Sequence, residues 1–411
     1  MELTERLAYL ESVRDWQQLR EELEKQISGT KSNEQKAQLH LRLGRLLDQQ
    51  FLLGAKALKH FQDAYKLNPQ LTESLEEARR IYWDLGKLNM VQKLLDLELK
   101  ANPQGDVASA LLLELADVLC DLDQYEQATP AYARSLGASG GKNSNASASL
   151  EDVQVVESGW DERVGELVRA ANESTGDQKA RLFLRAARIL RRFQGAEATE
   201  GFLRQAYREA PTNQAAAALF ESLLVDQKRF DEIERTQSEI LAGVADAAQR
   251  VDLALAFGRR WAMRHQNPEI AAKFLEEALN RDPGNEAAFH KLAEIYGAKD
   301  RWNDVVKLGD RCIDAAHGDR DKLVFLLAEV GTVAWKHVGD LMRARNYFTQ
   351  LKAIEPEHHQ LKAFERQIGE ELEAPGAPAP AAIPTRVSEP PARITPEPPA
   401  ARVTPEPPAP P

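Results

Sequence analysis

Cysteine is nearly absent from this 411-residue chain: Cys120 and Cys312 lie far apart and outside any CxxC motif. That argues against a disulfide framework or a zinc site and fits a reducing cytoplasm. Aromatic residues make up only 7%, and alternating Val- or Ile-rich runs between glycine turns are missing, so nothing reads as a sheet protein. No stretch approaches the roughly 20 apolar residues of a membrane span. The start of the chain, Met1 to Arg6, is charged and has no apolar core of a secretory signal. A net charge of −11 would repel a polyanion over most of the surface, which argues against general nucleic-acid binding. Proline is scarce before the last 38 residues, with seven in the first 373.

What is present favours helix. Hydrophobic residues reach 43%, ample for a core, and Ala, Leu, Glu, Gln, Lys and Arg dominate. Five of the seven prolines close a segment in one register: Pro69, Pro103, Pro211, Pro283 and Pro356. Twelve residues before each stands a small or β-branched residue (Ala57, Val91, Thr199, Ala271, Ala344), followed four residues on by Phe61, Leu95, Leu203, Leu275 and Phe348. That spacing is one face of a helix, and the proline cannot continue it. An upstream helix completes each unit, marked by Leu43-Gly44, Ala78 with Tyr82, Phe183 with Ala186-Ala187, and Phe289 with Leu292-Ala293. Asn213 and Asn285 follow their prolines by two residues, where a helix N-cap belongs. The position of Ala57 recurs at Leu19, Val91, Ala128, Thr199, Ile233, Ala271, Val305 and Ala344, most steps spanning 34 to 39 residues.

This pattern resembles the tetratricopeptide repeat, two antiparallel helices in about 34 residues with a closing proline, of the bacterial multi-repeat kind. The resemblance implies an all-α, right-handed α-solenoid of eight to ten helix pairs. Residues 1–136 are expected to hold N-terminal repeats and 159–357 C-terminal repeats. Residues 137–158, rich in Gly, Ser and Asn, read as a flexible loop replacing the first helix of a degenerate repeat. Leu361, Phe364, Ile368 and Leu372 mark a capping helix over 358–373. Residues 374–411 are Pro/Ala-rich, repeat a nine-residue unit twice, and are expected to be a disordered linker or tail.

Catalytic motifs are missing. There is no G-x-S-x-G, H-E-x-x-H or G-x-G-x-x-G. Gly137 to Lys142 is one residue short of a phosphate loop and lacks a preceding strand. His358 and His359 are adjacent, point to different helix faces, and read as solvated surface rather than a metal site. No cofactor and no enzyme activity are expected.

One run stands out: residues 179–192 carry six basic residues and no acid. By the resemblance, first-helix positions line a concave groove, which places Arg181, Arg185, Arg188, Arg191 and Arg192 there. The same count adds Arg45, Arg80, Trp83, Arg259, His290 and Trp335. The arginine run is either answered by acids of a neighbouring repeat or kept for an acidic stretch of a partner. The family's carboxylate clamp for a partner's C-terminus is not reproduced, since Glu76, Arg80 and Glu114 stand at two of its places. The function expected is a cytoplasmic scaffold holding a partner peptide or helix in the groove, with no nucleic acid or membrane partner. The alternative is a recruiting or regulatory arm of a larger protein with an effector domain beyond the proline-rich tail.

Overall fold

The computed structural model describes residues 3–316 and 318–374. The proline-rich tail lies outside them. Among the described residues there are twenty-one α-helices and no strand, and no helix is long and apolar enough to cross a membrane.

Twenty of the helices follow one another as ten hairpins. The first four are α1 Leu3–Ser12 with α2 Trp16–Gly29, α3 Asn33–Phe51 with α4 Gly54–Leu67, α5 Glu73–Asp84 with α6 Leu88–Lys100, and α7 Gly105–Asp121 with α8 Tyr125–Ala138. The middle three are α9 Ser144–Val153 with α10 Trp160–Asn172, α11 Gly176–Gln194 with α12 Glu200–Glu209, and α13 Gln214–Asp226 with α14 Phe230–Gly243. The last three are α15 Ala247–Met263 with α16 Pro268–Arg281, α17 Glu286–Gly297 with α18 Trp302–Ala315, and α19 Arg320–Val333 with α20 Leu341–Ile354. The single helix α21 His359–Ile368 follows, burying Leu361 and Phe364 as the expected cap. The array is a helical repeat of the kind that the tetratricopeptide resemblance implies.

Local chemistry explains the boundaries. Asn213 and Asn285 cap their helices as expected, accepting from Ala216 N at 3.0 Å and Ala288 N at 3.1 Å. The second helices α4, α6, α12, α16 and α20 end just before Pro69, Pro103, Pro211, Pro283 and Pro356. The turn inside a hairpin repeats one left-handed residue, Arg14, Gly86, Asp123, Lys228 or Asp300, with φ between 55° and 64°. Only one of the five is glycine, so the shared backbone turn is set by helix packing rather than by residue type.

One segment differs from the sequence reading. Within residues 137–158, Ser144–Val153 is a helix, not a loop. Asn143 caps it through Ala146 N, and it buries Ala146 and Val153. It is short and packs on α8 and α11 more than on its own partner α10, which is why its apolar signal is too sparse for periodicity to register.

The helices do not form an open spiral. The inner helix α3 packs against α17, and α5 against α13, so the second and third hairpins meet the ninth and seventh. Leu52 joins the C-terminal core and Ala218 the core of α5 to α8, so apolar side chains cross between the two arms.

Glycine inside the inner helices admits the second helix. A Cβ at Gly44 would stand 2.5 Å from Cε1 of the buried Phe61 ring. Gly44→Ala should therefore destabilise the fold by about 1–3 kcal/mol, although alanine is the better helix former. Urea unfolding of the two proteins checks this.

Candidate functional site

The basic run of α11 is answered within the molecule. Arg185 Nε donates to Asp152 Oδ2 at 2.5 Å, and its Nη2 donates to the carbonyl of Ala148. Arg188 forms a two-pronged pair with Asp121 at 2.8 and 3.0 Å and reaches Asp117 at 3.0 Å. Arg191 grips both oxygens of Asp123 at 2.8 Å. Arg192 donates to the carbonyl of Val153 at 2.7 Å. Arg181 and Arg192 are exposed, Arg185 and Arg191 half-buried, and Arg188 buried. Three of the five, Arg185, Arg188 and Arg191, thus pair with acids on α9, on α7 and in the turn after α7. Arg185 and Arg192 fasten the short helix α9, whose existence sequence reasoning had missed.

The other expected groove residues divide between two places. Arg80 donates to Asp48 Oδ2 at 2.5 Å, and Arg259, from the opposite arm, reaches the same atom at 3.3 Å and also pairs with Asp84. Arg45 pairs with Glu77 at 2.7 Å. Trp83 is buried and donates its indole N–H to Glu114 at 2.8 Å. His290 stacks on Phe51 with ring centres 4.4 Å apart and contacts the carbonyl of Gln50 at 2.7 Å. Trp335 meets the Phe364 and Phe348 rings edge-on. Near the chain start, Glu286 of α17 accepts from Arg14 at 2.5 Å and from Trp16 at 2.6 Å. Of the six expected residues, Arg259 and His290 reach across to the opposite arm, whereas Arg45, Arg80 and Trp83 bond within the N-terminal arm and Trp335 packs within the C-terminal one.

Next to the closure lies a fully buried carboxylate, Glu221. It accepts from Arg260 at 2.9 Å and Gln237 at 3.0 Å, and lies 3.0 Å from His265 Nε2. Burial pushes its carboxyl up, but Arg260, His265 and Arg264 outweigh this and hold it down at about 2. The two cysteines are buried and free, and burial pushes their thiols up, to about 12 for Cys120 and about 11 for Cys312. Such thiols are structural rather than reactive.

An opening remains where the arms meet. Between α2 on one side and α17, α19 and the start of α21 on the other is a cleft of about 460 Å³, within the usual size of a ligand site. Phe51 and Trp302 supply its apolar wall, Trp302 stacking on His337 at 3.8 Å. Asp15, His290 and Gln360, all buried, line it. His358, read from sequence as solvated, is buried at the edge of this region and caps α21. Of the residues expected at the site only His290 lies here. The others in the cleft come from both ends of the chain and share no motif, so no sequence signal marked them.

No protein-family model matches the chain, and no curated protein matches it. Among solved structures, similarity extends to the tetratricopeptide domain of P58(IPK), with 12% identity over 81% of this chain and 98% of that one, TM-score 0.24. It extends also to Naa15/Naa10 bound to HypK-THB, with 13% identity over 90% of this chain and 66% of that one, TM-score 0.29. Both superpose poorly, so the fold rests on the helix array itself.

Two outcomes are expected. Removing the charge of the buried Arg188 strands Asp121, so Arg188→Ala should cost about 3–5 kcal/mol, read as a lowered urea midpoint. For Glu221, the folded pKa lies below the unfolded one, so its contribution is present above about pH 4.5 and is lost as pH falls toward 2. The stability gap between wild type and Glu221→Gln, on the order of 3 kcal/mol near neutrality, should therefore narrow through that window. Denaturant titrations at stepped pH measure it, and shifts common to both proteins cancel in the difference.

Proposed function

We propose that the chain is a non-catalytic protein-interaction scaffold that receives a partner where its two arms meet. The observation that supports this most is the combination of a closed helix array with one cleft at the seam, walled by inner helices α17 and α19 and by α2. Inner helices of such arrays present a preformed surface on which an extended peptide can lie with little reorganisation. Here contacts between the arms interrupt that surface, and the seam cleft is an opening that both arms line.

Binding rather than catalysis fits the chemistry of the shifted groups. Glu221 and Asp121 are shut from solvent and committed to arginine partners, so their perturbation reflects packing, not a poised acid or base. Two buried free thiols fit a cytoplasmic setting. The acidic partner read from the arginine run is not favoured, because four of its five arginines already hold internal partners.

The reading is tested with a photo-crosslinking amino acid placed in the native cell at Gln17 or Glu294, both in the cleft, and at exposed Lys307 on α18. Crosslinks to a discrete partner are expected from the first two positions and not from the third. Crosslinks from Lys307 alone would move the interface to the outer face.

A further inference from the structure

Ten buried side-chain polar atoms among the described residues have no hydrogen-bond partner, and five belong to residues lining the seam cleft: Asp15 Oδ2, Arg20 Nε, His290 Nε2, Thr332 Oγ1 and Gln360 Oε1. Buried polar atoms are seldom left unsatisfied, and here half of them belong to residues around one space. Asp15, His290 and Gln360 are each more than nine-tenths buried.

The chemistry of these atoms is one-sided. Asp15 already uses Oδ1 to accept from Gln18 N at 3.1 Å, which leaves Oδ2 as a bare acceptor. The amide N–H of Gln360 donates to Glu329 at 3.2 Å, which fixes the amide so that its Oε1 faces away as an acceptor. His290 donates from Nδ1 to the carbonyl of Gln50 at 2.7 Å, and its Nε2 lies 3.8 Å from a Glu329 carboxylate oxygen. Two obligate acceptors, Asp15 Oδ2 and Gln360 Oε1, thus stand against one obligate donor, Arg20 Nε, and one hydroxyl, Thr332, that can serve either way.

Charge agrees with this count. The deep carboxylates are Asp15, 3% exposed, and the largely buried Glu329. Of the cations lining the cleft, Arg20 is paired with Glu24 at 3.7 Å, and Lys56 and Lys336 are exposed at the rim, where solvent screens them. The imidazole nearest Asp15 Oδ2 is that of His359, 3.8 Å away; His358 also acts on Asp15, and burial pushes both imidazoles down. Burial pushes the Asp15 carboxyl up. A cation arriving beside it would relieve that penalty.

We infer that the seam cleft binds a basic peptide segment, with one lysine ammonium or arginine guanidinium seated on Asp15 Oδ2 and Gln360 Oε1. An ammonium offers three N–H donors and a guanidinium five, which matches the surplus of acceptors. Backbone carbonyls of the same segment meet Arg20 and Thr332, and its neighbouring side chains lie on Phe51 and Trp302. A peptide answers both the acceptors and the donors, whereas a simple amine answers only the first. The inference deepens the scaffold reading and rests on it.

Titration of the full chain with blocked hexapeptides, followed by NMR shifts, decides it. The peptides share an Ala/Gly/Ser background and carry a central Arg, Lys, Glu or Leu. The Arg and Lys peptides should bind, and the Glu and Leu peptides should bind at least about ten-fold more weakly, the loss expected when a charge-assisted hydrogen bond is missing. Asp15→Asn keeps the cap through its remaining oxygen and should weaken the Arg peptide by a similar factor. Glu294→Arg, on the exposed rim, adds a like charge and should weaken it as well, and it decides the matter should Asp15→Asn fail to fold. Equal binding of all four peptides, indifference to both variants, or no binding of the Arg and Lys peptides would overturn the assignment. Blocked arginine amide binding as tightly as the hexapeptide would replace the peptide with a small amine. If crosslinks from Gln17 and Glu294 persist while the basic peptides fail, the scaffold reading stands and only the cation falls.

Discussion

The structure depends on how the buried carboxylate Asp48 is neutralised. It sits on α3 with none of its surface exposed, and its partners are Arg80 of the next hairpin and Arg259 from α15, twelve helices further on. A lone buried carboxylate is among the costliest features a core can hold. Asp48 gains its second cation, and Asp84 its pairing with Arg259 and Arg260, only when α15 meets α3 and α5. Apolar contacts between α3 and α17 would tolerate some sliding. The ion pairs tolerate little, because guanidinium and carboxylate must meet within hydrogen-bond distance. The pairs therefore act chiefly to fix the register of closure, whatever their net contribution to stability.

Closure has two effects on the inner surface. It consumes the charged side chains that an open superhelix would display, and it brings the first hairpin beside the last. Glu286 with Arg14 and Trp16 is the second point of attachment, and the cleft lies beside it. The polar atoms left over at that seam are unsatisfied because α2 and α21 approach one another without interlocking. A repeat protein whose units touch only their neighbours would have no such place.

The arginines of α11 show the same logic on a smaller scale. Like charges spaced along one helix stripe repel by a few tenths of a kcal/mol per pair. Asp117, Asp121, Asp123 and Asp152 more than offset this by approaching from α7, the following turn and α9. The short, serine-rich helix α9 has little apolar surface of its own. It is held by Arg185 and Arg192, and by Arg163 through Asp152 at 2.8 Å.

The sequence by itself determined the helix pairs, their caps and stops, and the terminal cap, because each is set by residues within one turn of each other. Asn213 and Asn285 cap through the next three residues, Pro69 and its counterparts end the chain's own helix, and Gly44 reports a contact with Phe61 only 17 residues away. It also marked the arginine run but could not say whether acids would answer it, since Asp121 is 67 residues from Arg188. Helix α9 was illegible because ionic contacts from outside, not an apolar stripe, keep it folded. The seam cleft was decided only in three dimensions. Asp15 and Gln360 share no period and no motif, and the small rotation from one hairpin to the next, summed around the array, is what places them on opposite walls of the same space.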